Sequence, residues 1–389
     1  MEKVREEHES EYKAKPEVVA MAPGRVHLIG EHCSFFKDKT LSMAVNLPVY
    51  VAASKRQDTN LRFYFVQMGE RKRGGLSNLK FKKEDKWANA VKSVIYGFSS
   101  SGFECGGVDF TIYSNILPSA GFGITTAIKI ATAWAVKSLF KFRCGEDAMV
   151  KVLEKANKQF PGMYNFRADI FTGVYSKENT IVLTDHARGT YDLLPFKFSD
   201  KTILLTDARV PRVTTWNEES LRQPENVLLL GELKERKSTV YGGWQYEANG
   251  SDRSEVLSVV NEDVRRHLTC VMNEHQYVLE AQAALAKDDF SGFSKAVNHS
   301  HENMRDLYDI SCPEIDWLLK RVQEIDTADP RNPVNCGRIT GKGFGRCTYT
   351  ILRNEDVPRY REKLSEYERI FGFTPECFEV KTARGVRLV

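Results

Sequence analysis

Apolar and polar residues along this chain change period several times, and each change marks an element. The charged lead-in MEKVREEHESEYKAK is expected to be helical or frayed. EVVAMAPG follows as a strand-like run ending at a turn, and RVHLIG as a second short apolar run. TLSMAVNLPVYVAASKR reads as two strands broken at Pro48, the second alternating and β-branched. LRFYFVQM and VDFTIYSNILP alternate as strands do. WANAVKSVIYGFSSSG instead sets Trp87, Val91 and Ile95 at helical spacing and stops at Gly102. GFGITTAIKIATAWAVKSLF opens on glycines and continues as an Ala-rich helix, and MVKVLEKANKQF is another helix. Residues 169–183 return to strand-like patterning that ends in TIVLTD, and TILLTD at 202–207 repeats it. Residues 215–280 are expected to be mostly helical around the polar loop YGGWQYEANGSD. Helices continue through 281–327, and RCTYTILR and CFEVKTARGVRLV end the chain as short strands.

Strands dominate early and helices later, without βαβ regularity and without an internal repeat. That pattern points to an α+β fold rather than a doubly wound sheet. A chain of 389 residues exceeds one comfortable core. Two domains are expected, 1–199 and 200–389.

Composition narrows the function classes. Hydrophobic residues at 42% and charged residues at 28% are ordinary for a soluble globular protein. The net charge of +4 arises from 56 basic and 52 acidic residues that are well mixed, so no basic stripe argues for nucleic acid. KKEDK at 82–86 reads as solvated surface. The eight cysteines are scattered with no CxxC pair, which disfavours a zinc site or a disulfide framework. Reduced thiols fit a cytoplasmic protein. The lead-in has no apolar signal core, and no apolar run approaches the roughly 20 residues of a membrane span. A monomer without membrane or nucleic-acid partners is expected.

Three glycine-containing stretches carry the candidate chemistry. LPSAGFGITTA lies between a strand and a helix, where glycines permit close backbone approach and free helix N–H groups favour phosphate. Thr125 and Thr126 add hydroxyls. No GK[ST] follows, so this is not a Walker loop, and a plain turn capped by Thr has the same composition. RITGKGFGRCTYTIL at 338–352 is by itself compatible with a hairpin. Together with APGRVHLIGEH at 22–32, the two loops read as one site assembled from distant segments.

These stretches resemble the three motifs of galactokinases, in the GHMP small-molecule kinase superfamily. KWANAVKSVI resembles the family's adenine-side segment, and HSHENMRDLYDISCPEID resembles a stretch particular to galactokinases. The order holds from about residue 18 to the C-terminus. The resemblance implies a two-domain α+β fold with ATP in the interdomain cleft and transfer of its γ-phosphoryl to a sugar anomeric hydroxyl. It maps the family's arginine to Arg25, a permanent cation for the transferring phosphoryl, and the catalytic aspartate to Asp169 in YNFRADIFTG. A structural ion pair for Arg25 and a helix cap for Asp169 are the plainer readings. Glu31 and His32 would face the acceptor. Trp87 would wall the adenine, unless it is a core tryptophan, with Asn89 in reach of the base. Gly121, Gly123, Thr125 and Thr126 would surround the β- and γ-phosphates, and Gly343 and Gly345 would close the cleft. Lys342 and Arg346 would add charge contacts or point to solvent.

Departures from the family pattern cluster on the acceptor side. GEHTDYN becomes Gly30, Glu31, His32, Cys33, Ser34, Phe35 and Phe36, so Ser34 stands where the family has aspartate. Phe166 replaces a glycine near the sugar, Arg167 an apolar residue, and Trp216 a tyrosine that contacts galactose. On the metal side, the resemblance puts a Mg²⁺-binding serine at Ile124 or Thr125, with Thr125 preferred by the spacing of mevalonate-type relatives, and a glutamate at Asn157. Two functions follow as expectations. One is an ATP-dependent, Mg²⁺-using sugar kinase with altered acceptor preference. The other is a catalytically weak paralogue acting as a nucleotide- or sugar-binding sensor or regulator. The loop 234–254 would cap the cleft or meet a partner. His301, Arg305, Asp306, Tyr308 and Pro313 read as structural.

Overall fold

The computed structural model describes residues 1–32, 38–116, 121–160, 167–211, 262–326, 331–341 and 346–389, without the side chains of 158, 159, 263 and 264. The expected helices of 215–261 and the loop 234–254 lie outside the described residues. In chain order the elements are α1 (Glu2–Tyr12), β1 (Val18–Ile29), β2 (Lys39–Lys55), β3 (Asn60–Phe65), β4 (Glu70–Gly75), α2 (Ala88–Ser99), β5 (Val108–Ser114), α3 (Ile124–Leu139), α4 (Glu146–Gln159) and α5 (Arg167–Tyr175). There follow β6 (Thr180–Asp185), β7 (Thr190–Pro195), β8 (Lys201–Asp207), α6 (Glu262–Ala286), α7 (Phe290–Asp306), α8 (Pro313–Ile325), β9 (Cys336–Ile339), β10 (Cys347–Arg353), α9 (Val357–Phe371), β11 (Glu376–Val380) and β12 (Arg387–Leu388).

Two compact units form, and both are discontinuous in sequence. The first takes Met1–Val26, Met43–Thr180 and Thr382–Val389; the second takes His27–Ser42 and Ile181–Lys381. The expected boundary near residue 200 falls inside the second unit.

The first unit is a mixed sheet with strand order β12-β1-β2-β5-β3-β4. β3 runs parallel to β5, and β2 pairs antiparallel with β5 through Val51↔Ile112 and Ala53↔Phe110. Helices α2, α3, α4 and α5 pack on one another. Two expected breaks do not occur. β1 runs straight through Pro23-Gly24, because Gly24 has no Cβ to meet Leu47 O at 3.0 Å. β2 runs through Pro48, whose carbonyl accepts from Asn115 N at 2.9 Å while its missing N–H falls at a partly exposed point of the strand. Residues 169–175, expected to be strand-like, lie in the helix α5. Ala168, Ile170, Phe171 and Val174 are all buried, so the segment shows no polar face from which a period could be read.

The second unit holds the antiparallel sheet β11-β8-β10-β9, with Phe378↔Leu205 and Ile351↔Ile203 in register. Helices α6 and α7 lie against each other, and α8 covers α9, β9 and β10. Its core gathers Leu204, Tyr308, Ile315, Leu318, Tyr360 and Tyr367. Tyr308 is fully buried, Pro313 opens α8, and Arg305 pairs with Asp306 at 2.6 Å on the surface, as structural residues would.

Candidate active site

Three segments of the first unit meet at Arg25. β1 supplies the arginine, the turn before α3 supplies Gly121 and Gly123, and the first turn of α5 supplies Asp169. Arg25 N donates to Phe122 O at 3.0 Å, which ties the strand to the glycine turn. Its Nη1 donates to Gly121 O, and its Nε donates to Asp169 Oδ1 at 2.5 Å. The other carboxylate oxygen, Oδ2, accepts from Thr126 Oγ1 at 3.2 Å. Asp169 is 4% exposed, so both oxygens are directed by protein groups. Gly123 has φ +76°, and a Cβ there would stand 3.1 Å from Arg25 Cγ. The turn is therefore glycine for two reasons: the left-handed backbone and the packing of the arginine stem. Gly123 is also the N-cap of α3 and has no side chain to cap it, so the helix start is left to offer N–H groups to an anion. Thr125 is half-buried on the same turn.

Beneath that turn α3 carries Lys129, a lysine 1% exposed that was not singled out from the sequence. Its Nζ donates to Asn157 Oδ1 of α4 at 3.0 Å. Burial pulls its pKa down to about 7, with the Asp169 carboxylate pulling the other way. This donor set does not fit a protein-bound Mg²⁺. A hard divalent cation prefers charged oxygens, whereas Asn157 is neutral and already accepts from an amine, and Thr125 offers a neutral hydroxyl. Among the described residues no group of three or more His, Cys, Asp or Glu could hold a metal ion. Arg167, at the start of α5, pairs with Glu154 at 2.8 Å.

The adenine-side segment divides. Trp87 is half-buried before α2, its Nε1 donating to Glu70 Oε2 at 2.8 Å and its ring edge-on to Phe65 at 5.3 Å. Asn89 is fully buried, and its amide is engaged with Lys82: Nδ2 donates to the carbonyl at 2.6 Å, and Oδ1 accepts from the N–H at 3.2 Å. Reach toward a base is therefore closed to Asn89.

In the second unit, Glu31 and His32 follow a turn at Gly30, whose φ is +93° and whose Cβ position would lie 2.4 Å from Lys39 O. Glu31 Oε1 accepts from Arg338 Nη1 at 2.6 Å. Arg338, wholly buried, also donates from Nε to Ser300 Oγ at 2.7 Å, and its Nη2 lies 3.5 Å from Glu274 Oε2. Ser300 Oγ donates to Glu274 Oε1 at 2.6 Å. Burial alone would raise the Glu31 pKa, but Arg338, then His32 and His27, outweigh it and hold the carboxyl at about 2. Burial wins at Glu274 and raises its pKa despite Arg338. One guanidinium thus keeps one carboxylate ionised and leaves the other closer to neutral. His32 is 5% exposed and leans on Tyr308 at 5.4 Å between ring centres. Arg338 and Glu274 were not singled out as site residues; a charge inside a four-residue strand and another inside a polar helix stretch gave no periodic signal of burial. Arg346 has Nε 3.4 Å from Asp207 Oδ2. Ser34, Phe166, Trp216, Lys342, Gly343 and Gly345 lie outside the described residues.

Every described cysteine is a free thiol, and burial pushes Cys105, Cys312 and Cys336 up to about 12. No helix among the described residues is long and apolar enough to cross a membrane.

Residues 6–55 match the galactokinase galactose-binding signature, and residues 89–177 match the GHMP kinases N-terminal domain. A Treponema pallidum (strain Nichols) protein named "Putative galactokinase" is 39% identical over 390 aligned positions, covering 100% of this chain and 97% of the relative. A galactokinase of Thermotoga maritima is 27% identical, covering 95% of this chain and 99% of its own. The crystal structure of Lactococcus lactis galactokinase complexed with galactose superposes with a TM-score of 0.84 at 19% identity, covering 99% of both chains, a likeness of fold.

Proposed function

The chain belongs to the galactokinase family of GHMP kinases, and on that premise we propose that it phosphorylates the anomeric hydroxyl of a sugar from ATP, with an acceptor preference of its own. The observation that carries the reading is the contact between Arg25 and Asp169 at the uncapped start of α3. A polyphosphate on the helix start would meet N–H groups from Gly123 onward. The sugar oxygen would attack the γ-phosphorus as the bond to the ADP oxygen breaks, and the hydroxyl proton would pass to Asp169. Thr126 and Arg25 fix that carboxylate in one orientation before substrate arrives. As charge moves onto the transferring group, the Arg25 guanidinium is within one bond of the same carboxylate and can share its donors with phosphoryl oxygens. Altered acceptor preference is supported by the replacements Ser34, Phe166 and Trp216 on the sugar side.

The test is a coupled assay with ATP and a panel of hexoses and other polyols. Asp169→Asn is expected to lower kcat for the accepted sugar by about 10²–10⁴-fold, with ATP affinity kept within a few-fold. A second reading, a nucleotide- or sugar-binding regulator without turnover, draws on the neutral Asn157 at the site. Thermal stabilisation by ATP or a sugar, with no turnover on any panel member, would favour it over the kinase.

A further inference from the structure

The position of Lys129 is the least expected feature of the site. Its ammonium is carried on the inner face of α3, one turn beyond Thr125, and anchored on Asn157 of α4. Asp169, the carboxylate proposed to receive the acceptor's proton, accepts from Arg25, and its charge opposes the effect of burial on Lys129. The Thr126 hydroxyl, the Asn157 amide and the carbonyl of Gly121 are neutral members of the same cluster.

We infer that the Lys129 amine occupies the Asn157 oxygen that a protein-bound divalent metal would need, leaving the protein without a metal seat of its own beside the head of α3. The inference rests on the kinase reading above. A divalent ion drawn to Asn157 Oδ1 would have to compete with the amine that donates to it, and that amine belongs to a side chain 1% exposed on a helix packed against α4. An amine already donating to that oxygen opposes a cation on the same atom. Magnesium then enters with the nucleotide, on phosphate oxygens and water. Lys129 is a positioning residue, acting through Asp169 and Asn157 and not by touching the reacting atoms.

The test measures Mn²⁺ binding to the nucleotide-free full chain by electron paramagnetic resonance. Lys129→Met combined with Asn157→Glu removes the amine and supplies a carboxylate, and is expected to bind Mn²⁺ at least tenfold more tightly than the wild type. Equal affinity in the two proteins overturns the inference. Should the double variant fail to fold by circular dichroism, Asn157→Ala decides: Mn²⁺ affinity unchanged from wild type supports the inference, and a tenfold loss overturns it. Calorimetric titration of the wild type with ATP, with and without magnesium, separates the two levels. No ATP binding in either condition removes the kinase reading and this inference together. ATP binding alongside Mn²⁺ seated on Asn157 removes this inference alone.

Discussion

At the scale of single residues, charge decides what each site group can do. Arg25 and Asp169 were singled out through the resemblance of their segments to galactokinase motifs, and the fold brings the two side chains into contact. Lys129 and Arg338 were not, because a lone cation in an apolar stretch looks like a solvent-facing position; only the fold shows that both are buried. The Arg338 network gives a comparison that separates ionised from neutral partners. Glu31 is held ionised, so Glu31→Gln leaves a buried guanidinium undercompensated and should destabilise the protein by about 3 kcal/mol. Glu274 is already pushed toward its neutral form, so Glu274→Gln should cost about 1 kcal/mol. Urea unfolding at pH 7 of the two variants checks the order; equal losses would refute the unequal sharing of Arg338.

At the scale of elements, α1 shows how a charged lead-in becomes part of the core. His8 sits wholly buried against β2 and β5, with Nδ1 2.9 Å from Thr111 Oγ1 and Nε2 2.9 Å from Ser54 Oγ. Burial lowers its pKa from 6.5 to about 4. The folded protein therefore keeps His8 neutral where the unfolded chain binds a proton, and the stabilisation present above pH 6.5 is lost as pH falls toward 4. That one group should remove about 2 kcal/mol between pH 7.5 and pH 5. Denaturant unfolding at the two pH values checks it: His8→Gln should lose less stability over the interval than the wild type. The helical lead-in was readable from its charge pattern, but its docking was not, since His8 and Val4 are its only buried positions. The misread α5 has the opposite cause. Its apolar residues surround the helix, and Gly173 admits Ile130 Cδ1 to within 2.4 Å of where a Cβ would stand, a tight α3–α5 approach that local pattern does not encode.

At the scale of the whole molecule, distant stretches of chain complete each unit. β12 pairs with β1 through Ala20↔Leu388 and Met21↔Arg387, and Val386 N donates to Gly173 O at 2.8 Å. Such long-range pairing leaves no periodic trace, which is why a single boundary was the natural expectation and a discontinuous division was not. Gly385 tests the tail's contribution, since a Cβ there would fall 2.2 Å from Val174 O. Gly385→Val should cost about 1–3 kcal/mol, read as a lower Tm and as faster proteolysis within α5.

The return of residues 387–388 to the edge of β1 also orders events in time. Synthesis delivers Arg25 before its neighbouring strand, with all of Ile181–Lys381 made in between. Until then β1 exposes an open edge next to the residue proposed to meet phosphate, so a nascent chain halted before residue 387 should capture little nucleotide and lean on chaperones more than the released protein does.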